Sequence, residues 1–446
     1  MPDTAYDLER NVHRITLYST VERKHRHPGN FKPRLYLHID MNCFYAQVEQ
    51  QCYNLYGMPV IVGGWRKEDG RPRGIVATSS YEARSYGIKT GMSHYEAVQL
   101  CPYVIPLQVH YEKYQAVSRE IGRVLENHAP EVERYSMDEY FLNLTHLRSN
   151  SRRALAELGA QLKADILSET GLVCSVGIAY SKTYAKLASD LHKPDGLELV
   201  LDQEDARNKL WPLPLDEVWG IGTRRYAKLR TLGLNTISDA VARGSGPFEK
   251  LFGACFGKML FDTVTGRDYA RVLDEPAPTP REVSYMHTFS DWSRDYDRVL
   301  GELALAVRQL CYRMRGYGRK AEKFHGYIRF QDDSWQGVSF RFSTPGATHL
   351  DDYVLQACLE SADPILRRHL NEGRRIRGVG LGTLEMNDGR QLELFFREDE
   401  RLRRLHFTTD AINNRHGPDT LVKASLKHTV EGKTHFLERN AGGNEA

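Results

Sequence analysis

Two adjacent carboxylates interrupt the apolar, aromatic-rich stretch Arg134-Tyr135-Ser136-Met137-Asp138-Glu139-Tyr140-Phe141-Leu142-Asn143-Leu144. Its composition is typical of a β-strand, in which neighbouring side chains point to opposite faces. Asp138 and Glu139 can share one surface only if a tight turn falls here between two short strands. We therefore predict a hairpin whose carboxylates converge on a positive group, and a hard divalent cation is the most economical one. The alternative is a solvated hairpin tip, which is the commoner setting for an isolated Asp-Glu pair.

A second apolar stretch also carries a carboxylate, in Leu35-Tyr36-Leu37-His38-Ile39-Asp40-Met41-Asn42-Cys43-Phe44-Tyr45-Ala46. This pattern predicts a buried strand ending at Asp40, followed by an aromatic turn into a helix. With the acid pair, Asp40 makes three carboxylates that could share two Mg²⁺ ions. Two metals about 4 Å apart stabilise the attacking and leaving oxygens of a phosphoryl transfer.

The two stretches together resemble the catalytic motifs of the Y-family translesion DNA polymerases, the bacterial polymerase IV and polymerase V group. The matching segments are Asp-Met-Asn-Cys-Phe-Tyr-Ala at 40–46 and Ser-Met-Asp-Glu-Tyr at 136–140. The resemblance implies two Mg²⁺ ions, or Mn²⁺ in their place, held by Asp40, Asp138, Glu139 and the backbone carbonyl of Met41. It also implies that Tyr45 lies under the incoming sugar and excludes ribonucleotides by steric overlap.

Bulk composition sets only broad limits. A length of 446 residues predicts about three domains, and a formal net charge of +3 is too balanced to indicate a nucleic-acid binder by itself. The seven cysteines have no paired spacing, which argues against disulfides and zinc and favours a reducing compartment. Without an apolar run of membrane-spanning length or a secretion signal, we expect a cytoplasmic, nucleoid-associated monomer that contacts no membrane.

Residues 50–107 are predicted to form a small fingers domain. On a helix Tyr81 and Arg84 would share a face, which suits a polyphosphate, although this spacing is common on protein surfaces. The resemblance implies that Thr78, Tyr81 and Arg84 contact the incoming triphosphate. Residues 1–34 read as a solvated N-terminal extension, and a metal site from His25 and His27 lacks further ligands.

A helix over 181–189 is predicted to follow a strand over 172–179, where free backbone amides can bind phosphate. Lys186 and Lys193 are seven residues apart, two helical turns on one face, although charged helix residues are usually only solvated. The resemblance implies that both lysines face the nucleotide's phosphates. Lys182-Thr183 and Asn42 match the polymerase V branch better than polymerase IV, which makes an accessory partner protein of the polymerase V type plausible.

The stretch from Leu215 to Arg225 is typical of a helix-hairpin-helix, although any corner between two helices could use its Gly-x-Gly. Gly220 and Gly222 would let the backbone approach a DNA phosphate closely, and Arg224 and Arg225 would neutralise it. Such contacts position the protein without reading the base sequence.

A proline-rich linker at 271–282 precedes a β-rich domain at 283–388, for which we predict two helices and strands at 323–330, 337–342 and 374–384. Its basic residues, among them Arg374, Arg375 and Arg377, suit a sheet laid against a DNA backbone. The following Gln-Leu-Glu-Leu-Phe resembles the bacterial sliding-clamp motif, which assigns clamp binding to Gln391, Leu392, Leu394 and Phe395. Spacing alone slightly favours a last edge strand for this segment.

The sequence thus predicts an α+β, right-hand polymerase fold with a ferredoxin-like palm at 35–49 and 108–200. Fingers at 50–107, a helical thumb at 201–270, a little finger at 283–388, and a clamp motif and tail at 389–446 complete it. The expected function is error-prone synthesis on damaged primer-template DNA from dNTPs. The opposing hypothesis, a non-catalytic clamp- and DNA-binding scaffold, predicts loss of the carboxylates, and all three are present. A cyclase built on the same palm is disfavoured by the helix-hairpin-helix and the clamp motif.

Overall fold

The computed structural model describes residues 34–66, 72–268, 271–272, 280–331, 337–388, 396, 398–417 and 419–424. Nearly all of the predicted N-terminal extension, most of the linker and the whole motif 391–395 lie outside the described residues. The chain divides into two compact units, Met1–Pro278 and Thr279–Ala446. This boundary falls within the predicted linker 271–282.

Within its described residues, the first unit contains ten strands, a helix-rich C-terminal part and two 3-10 turns. The strands are β1 (Tyr36–Met41), β2 (Val60–Val62), β3 (Trp65–Arg66), β4 (Pro72–Arg73), β5 (Thr78–Ser79), β6 (Ile105–Leu107), β7 (Val132–Arg134), β8 (Glu139–Asn143), β9 (Cys174–Ala179) and β10 (Leu197–Val200). The helices are α1 (Phe44–Tyr53), α2 (Tyr81–Ser85), α3 (His94–Leu100), α4 (Tyr111–Glu126), α5 (Arg152–Thr170), α6 (Lys182–Asp190), α7 (Gln203–Lys209), α8 (Thr223–Arg230), α9 (Ile237–Arg243), α10 (Gly246–Phe252) and α11 (Ala254–Val264). The 3-10 turns are Thr145–Leu147 and Leu215–Glu217.

The central sheet of this unit has the strand order β10-β9-β1-β8-β7. Strand β1 pairs antiparallel with both β8 and β9, and β10 pairs parallel with β9. Alternation along β1 buries Leu37 and Ile39 in one core with α4 and α5. Tyr36 belongs to the second core, which continues into the helices after residue 200. Because both faces are covered, the sheet is a rigid platform for what its strand ends carry.

Helix α6 lies very close to strand β9, and Gly177 makes this approach possible. A Cβ at Gly177 would collide with the backbone of Ala185 and Ser189 on the helix. The helix begins at Ser181, whose side chain accepts a hydrogen bond from the Tyr184 amide. The close packing fixes the height of α6 above the sheet.

A smaller sheet, β5-β2-β6, and the hairpin β3-β4 build the segment between residues 60 and 107. Its small apolar core includes Ile61, Val76, Ala83 and Ala97. Helix α3 starts with a complete capping box between Ser93 and Glu96. Helix α2 is only five residues long and starts at the Ser80 cap, immediately after β5.

The second unit is a sheet covered by two long helices. Its elements are β11 (Ser284–Ser293), α12 (Tyr296–Gly316), β12 (Arg319–Phe330), β13 (Gly337–Thr348), α13 (Asp351–Asn371), β14 (Ile376–Thr383), β15 (Asn387–Asp388) and α14 (Glu400–His416). The sheet order is β11-β14-β12-β13, and β15 pairs with β12. Residues of the helices and of the sheet share one core, which includes Leu303, Leu310, Phe324 and Leu366.

Two expectations for this unit need correction. The sequence predicts three strands, but the structure adds β11, whose stretch Ser-Tyr-Met-His-Thr-Phe-Ser-Asp-Trp-Ser lacks a clean apolar alternation. Strand β13 also runs past the predicted end at 342 to Thr348, through Pro345. It can do so because β13 lies at the edge of the sheet, where a missing amide is tolerated.

Helix α14, in the segment predicted only as a tail, packs against the rest of the second unit through buried ion pairs. The buried Arg315 guanidinium lies 2.6 Å from Asp410 on α14 and 2.8 Å from Asp351 on α13. His406 on α14 lies 2.8 Å from Asp352. No helix in the described ranges has the length and apolar character needed to cross a bilayer.

Candidate active site

The predicted hairpin is present and lies beside the end of β1. Strands β7 and β8 pair antiparallel around the turn that contains Asp138. Asp40 stands directly opposite Glu139 in the β1-β8 register, so the two side chains share a face. The Met41 amide donates to the Asp138 carbonyl at 2.9 Å. All three predicted carboxylates are therefore brought to one edge of the sheet.

Burial at this edge makes negative charge costly. The pKa of Asp40 is raised to about 6, chiefly by burial, with the Lys193 ammonium opposing the shift and the neighbouring Glu139 adding to it. Burial also raises the pKa of Asp138, although a hydrogen bond from Ser136, 2.5 Å away, opposes the shift. Two acids with raised pKa values side by side are a setting that a cation stabilises.

Two lysines meet these acids. The Lys186 ammonium donates to Glu139, and Lys193 lies 2.7 Å from Asp40 and 2.6 Å from Asp190. The expectation that both lysines share one helical face is wrong, because α6 ends at Asp190. Lys193 precedes Pro194, a position that disfavours helical backbone. The turn after the helix nevertheless returns Lys193 to the acids.

Among the described residues, no three histidine, cysteine or carboxylate side chains form a ready-made metal site. The ion pairs explain this, since Asp40 and Glu139 each point to a lysine. The donor chemistry still fits Mg²⁺, which prefers carboxylate oxygens. The raised pKa values of Asp40 and Asp138 indicate that burial makes their charge expensive without a cation.

Tyr45 occupies the first turn of α1, next to the acid-bearing hairpin. Cys43, in left-handed conformation with φ 39°, turns the chain sharply from β1 into the helix. The Tyr45 hydroxyl points to the Met137 sulfur at 3.9 Å. Burial, followed by the charge of Asp138, raises its pKa to about 12. The Tyr45 hydroxyl therefore lies beside the hairpin residue that precedes Asp138, and the position of the ring under an incoming sugar stays a prediction.

The three fingers residues lie together at the end of β5 and the start of α2. The Arg84 guanidinium lies 4.8 Å from the Tyr81 ring centre, and its Nε donates to the Ser79 carbonyl at 3.0 Å. The Tyr81 hydroxyl is buried and has no hydrogen-bond partner among the described residues. Thr78 precedes them in β5. This arrangement offers a fixed cation and an unused hydroxyl to an anion.

The Gly-x-Gly stretch forms a tight turn into α8, which starts after Gly222. Gly220 has a φ of 95°, which glycine alone adopts readily. Arg225 differs from the prediction, since its Nη1 donates to the Gly220 carbonyl at 2.7 Å and its guanidinium lies over Phe256. Arg225 thus holds the turn together, whereas Arg224 is exposed.

The arginines of the second unit that were predicted to bind DNA also differ in exposure and in their contacts. Arg375 is exposed, while the Arg374 guanidinium packs 4.2 Å from the Phe330 ring centre. Burial and then the neighbouring Arg329 guanidinium lower the pKa of Arg377. Arg329 and Arg377 therefore concentrate positive charge on adjacent strands β12 and β14. The clamp residues Gln391, Leu392, Leu394 and Phe395 lie outside the described residues.

Sequence reasoning missed Tyr114, whose ring stacks on Tyr45 at a centre-to-centre distance of 4.2 Å. It also missed Glu49, which accepts a hydrogen bond from Tyr114. A signal for Glu49 was available, because it lies four residues after Tyr45 on the same helix. Nothing local to Tyr114 indicates its partner.

Comparisons with known proteins cover both units. The model of the impB/mucB/samB family matches residues 39–190, the IMS family HHH motif matches 204–234, and the impB/mucB/samB family C-terminal domain matches 280–394. DNA polymerase IV of Pelotomaculum thermopropionicum is 35% identical over 86% of this chain and 93% of its own length. DNA polymerase IV of Streptococcus pyogenes serotype M12 is 41% identical over 80% of this chain and 95% of its own length. The chain belongs to the Y-family DNA polymerases.

A solved structure of a Y-family DNA polymerase chimera, Dbh-Dpo4(243-245)-Dbh, shares the fold. It covers 78% of this chain and 98% of its own at a TM-score of 0.65 and 24% identity. The fold class predicted from sequence, a right-hand Y-family polymerase with a helix-hairpin-helix and a β-sheet C-terminal domain, is confirmed. In this Y-family chain the C-terminal family match ends at residue 394, so α14 lies beyond it.

Proposed function

We propose that the protein is an error-prone, translesion DNA-directed DNA polymerase that adds a dNTP to a primer 3′ end opposite a damaged template base. Membership of the Y-family supports the polymerase activity. The observation that carries the proposal to this chain is the register of β1 and β8, which sets Asp40 opposite Glu139 and beside Asp138. A scaffold that had lost catalysis would have no reason to keep three partly buried acids together.

In this proposal Asp40, Asp138, Glu139 and the Met41 carbonyl would hold two Mg²⁺ ions, whose chemistry would be to activate the primer 3′-hydroxyl and to stabilise negative charge on the leaving pyrophosphate. The chain's own cations bind the nucleotide. Lys186, Lys193 and Arg84 surround the triphosphate, and Tyr81 donates its buried hydroxyl to it, with Thr78 alongside.

Tyr45 is proposed as the steric gate. Its ring borders the hairpin at Met137 and so occupies the space next to the acids. A 2′-hydroxyl on the incoming sugar would overlap with this ring, so ribonucleotides are excluded without a hydrogen bond. Tyr45→Ala should therefore admit ribonucleotides.

DNA contacts are proposed in each of the two units. The turn at Gly220 and Gly222 lets backbone amides approach a phosphate, and Arg224 neutralises it. In the second unit Arg375, with Arg374 and Arg377 behind it, contacts the duplex backbone. These contacts fix position rather than sequence.

The segment Gln391, Leu392, Leu394 and Phe395 is proposed to bind the bacterial sliding clamp. Attachment to a clamp would raise the local concentration of a weakly held polymerase at the primer end. An accessory protein of the polymerase V type and a nucleoid-associated cytoplasmic location belong to the same proposal.

The test is primer extension with Mg²⁺ on undamaged and abasic templates, comparing wild type with Asp138→Ala plus Glu139→Ala. Loss of both carboxylates should reduce the rate at least ~10³-fold, several kcal/mol of transition-state stabilisation. Glu120→Ala plus Glu126→Ala is the matched control, because it removes two exposed carboxylates of α4 that lie outside the proposed site. Absence of extension by wild type, with DNA binding intact, would favour the scaffold.

A further inference from the structure

The Tyr45 ring stacks on a second aromatic ring. Tyr114 on α4 stacks on it with the ring planes at 14° and the centres 4.2 Å apart. Tyr111 meets Tyr45 edge-on at 6.2 Å. A side chain that is to collide with a sugar hydroxyl must be unable to turn away, and a stacked neighbour removes the space for that turn.

Tyr114 is itself held by a buried acid. Its hydroxyl donates to Glu49 Oε1 at 2.6 Å, and Lys113 Nζ lies 2.8 Å from Glu49 Oε2. Glu49 and Tyr114 are both fully buried. Burial and then the hydrogen bond to Glu49 raise the pKa of the Tyr114 hydroxyl, so it stays protonated and remains a donor.

Tyr45, Glu49 and Tyr114 form one connected set of contacts between α1 and α4. Tyr45 and Glu49 are four residues apart on α1 and therefore share a face. Both contact the same residue of α4, one through its ring and one through its carboxylate. Any rotation of Tyr45 away from the hairpin must displace Tyr114, and displacing Tyr114 breaks its bond to Glu49.

Burying the Glu49 carboxylate between α1 and α4 costs desolvation free energy. Apolar side chains of similar volume would hold α1 against α4 at least as well, because a buried ion pair seldom repays its desolvation. What the carboxylate adds is direction, since it fixes where the Tyr114 hydroxyl points and hence how its ring faces Tyr45. The arrangement suits a role in positioning.

We propose that Tyr114, held by Glu49 and Lys113, is a specificity-determining positioning residue that keeps the Tyr45 gate closed against a 2′-hydroxyl. Sugar discrimination then depends on the rigidity of the Tyr45 ring as well as on its size. This inference rests on the proposed polymerase function and deepens it.

The experiment measures kcat/KM for dCTP and for CTP opposite a template guanine, using the full-length protein. Tyr114→Leu removes the stack and the hydroxyl together, and the preference for dCTP should fall at least 10-fold while kcat/KM for dCTP changes much less. Tyr114→Phe keeps the stack and should lower the preference only a few-fold. Glu49→Gln should resemble Tyr114→Phe, and combining the two should cause no further loss, because both act through one hydrogen bond.

Ser118→Ala is the matched control. Ser118 is buried one turn further along α4 and its hydroxyl lies 2.7 Å from the Tyr140 hydroxyl, so the change removes a comparable hydrogen bond. Its dCTP preference should equal that of wild type. Tyr45→Ala, which removes the gating ring, gives the dCTP preference expected when the gate is fully open.

Equal losses for dCTP and CTP in Tyr114→Leu, with the preference unchanged, would overturn the inference and leave the polymerase proposal intact. If Tyr114→Leu fails to fold, as judged by circular dichroism, the Glu49→Gln preference decides in the same way. Absence of any extension by wild type would instead overturn the polymerase proposal, and the inference with it.

Discussion

At the scale of single residues, Gly177 controls how closely the lysine-bearing helix approaches the sheet. We expect Gly177→Ala to lower the free energy of unfolding of the first unit by about 1–3 kcal/mol, because the added methyl group meets backbone that cannot move aside. Primer extension should fall as well, since α6 carries Lys186. Urea unfolding and extension assays measure the two effects.

Gly246→Ala is the control for that change. Gly246 starts α10, and a Cβ there would meet nothing within 4 Å. The free energy of unfolding of Gly246→Ala should remain within about 0.5 kcal/mol of the wild-type value or rise, because alanine favours a helix. Equal destabilisation by both substitutions would show that the close approach at Gly177 has no special importance.

Among elements, α14 depends on one buried arginine. Arg315→Met would leave Asp351 and Asp410 without a shared counter-ion, which should cost about 3–5 kcal/mol in the docking of α14. Hydrogen exchange of residues 400–416 should accelerate accordingly. The exposed pair Arg367–Asp363 serves as control, because solvent screens that pair and Arg367→Met should cost much less than Arg315→Met.

The docking of α14 should also depend on pH. A hydrogen bond from His406, followed by one from Lys423, holds the pKa of Asp352 below its usual 3.8. A carboxyl whose folded pKa is depressed stabilises the fold above its unfolded pKa, and this contribution is lost as the pH falls through the folded value. The protection of α14 amides, which is their exchange rate relative to the intrinsic rate at the same pH, should therefore fall below pH 3.8, and Asp352→Asn should flatten that dependence. An unchanged pH profile in the variant would contradict this account.

An element could be predicted from the sequence when its own residues determine it, and not when a distant partner does. The β7-β8 hairpin and the strand β1 are encoded locally, by apolar runs that end in acids, so both were predictable. Strand β11 was not, because only its neighbour β14 makes it a strand. Tyr114 was missed for the same reason, since its partner Glu49 is 65 positions away in the chain.

The formal net charge of the whole molecule is only +3, but positive charge is concentrated locally on the adjacent strands β12 and β14. We expect Arg375→Ala plus Arg377→Ala to weaken DNA binding and to reduce the slope of log Kd against log salt by about 0.9 for each phosphate that the variant no longer neutralises. Kd measured by anisotropy across a salt series tests this. Arg367→Ala plus Arg368→Ala removes the same charge from helix α13, where both arginines already pair with acids, and should leave the slope unchanged.

The ion pairs of Lys186 with Glu139 and of Lys193 with Asp40 have a consequence for how ligands bind. Each lysine competes with any cation for the same carboxylate oxygens, and each acid competes with any anion for the same ammonium group. A cation on the acids and an anion on the lysines therefore relieve each other's competition. Their affinities are linked, and because such coupling is reciprocal, each raises the other's by the same factor. For the proposed polymerase, we therefore expect Mg²⁺ and the nucleotide triphosphate each to bind more tightly in the presence of the other.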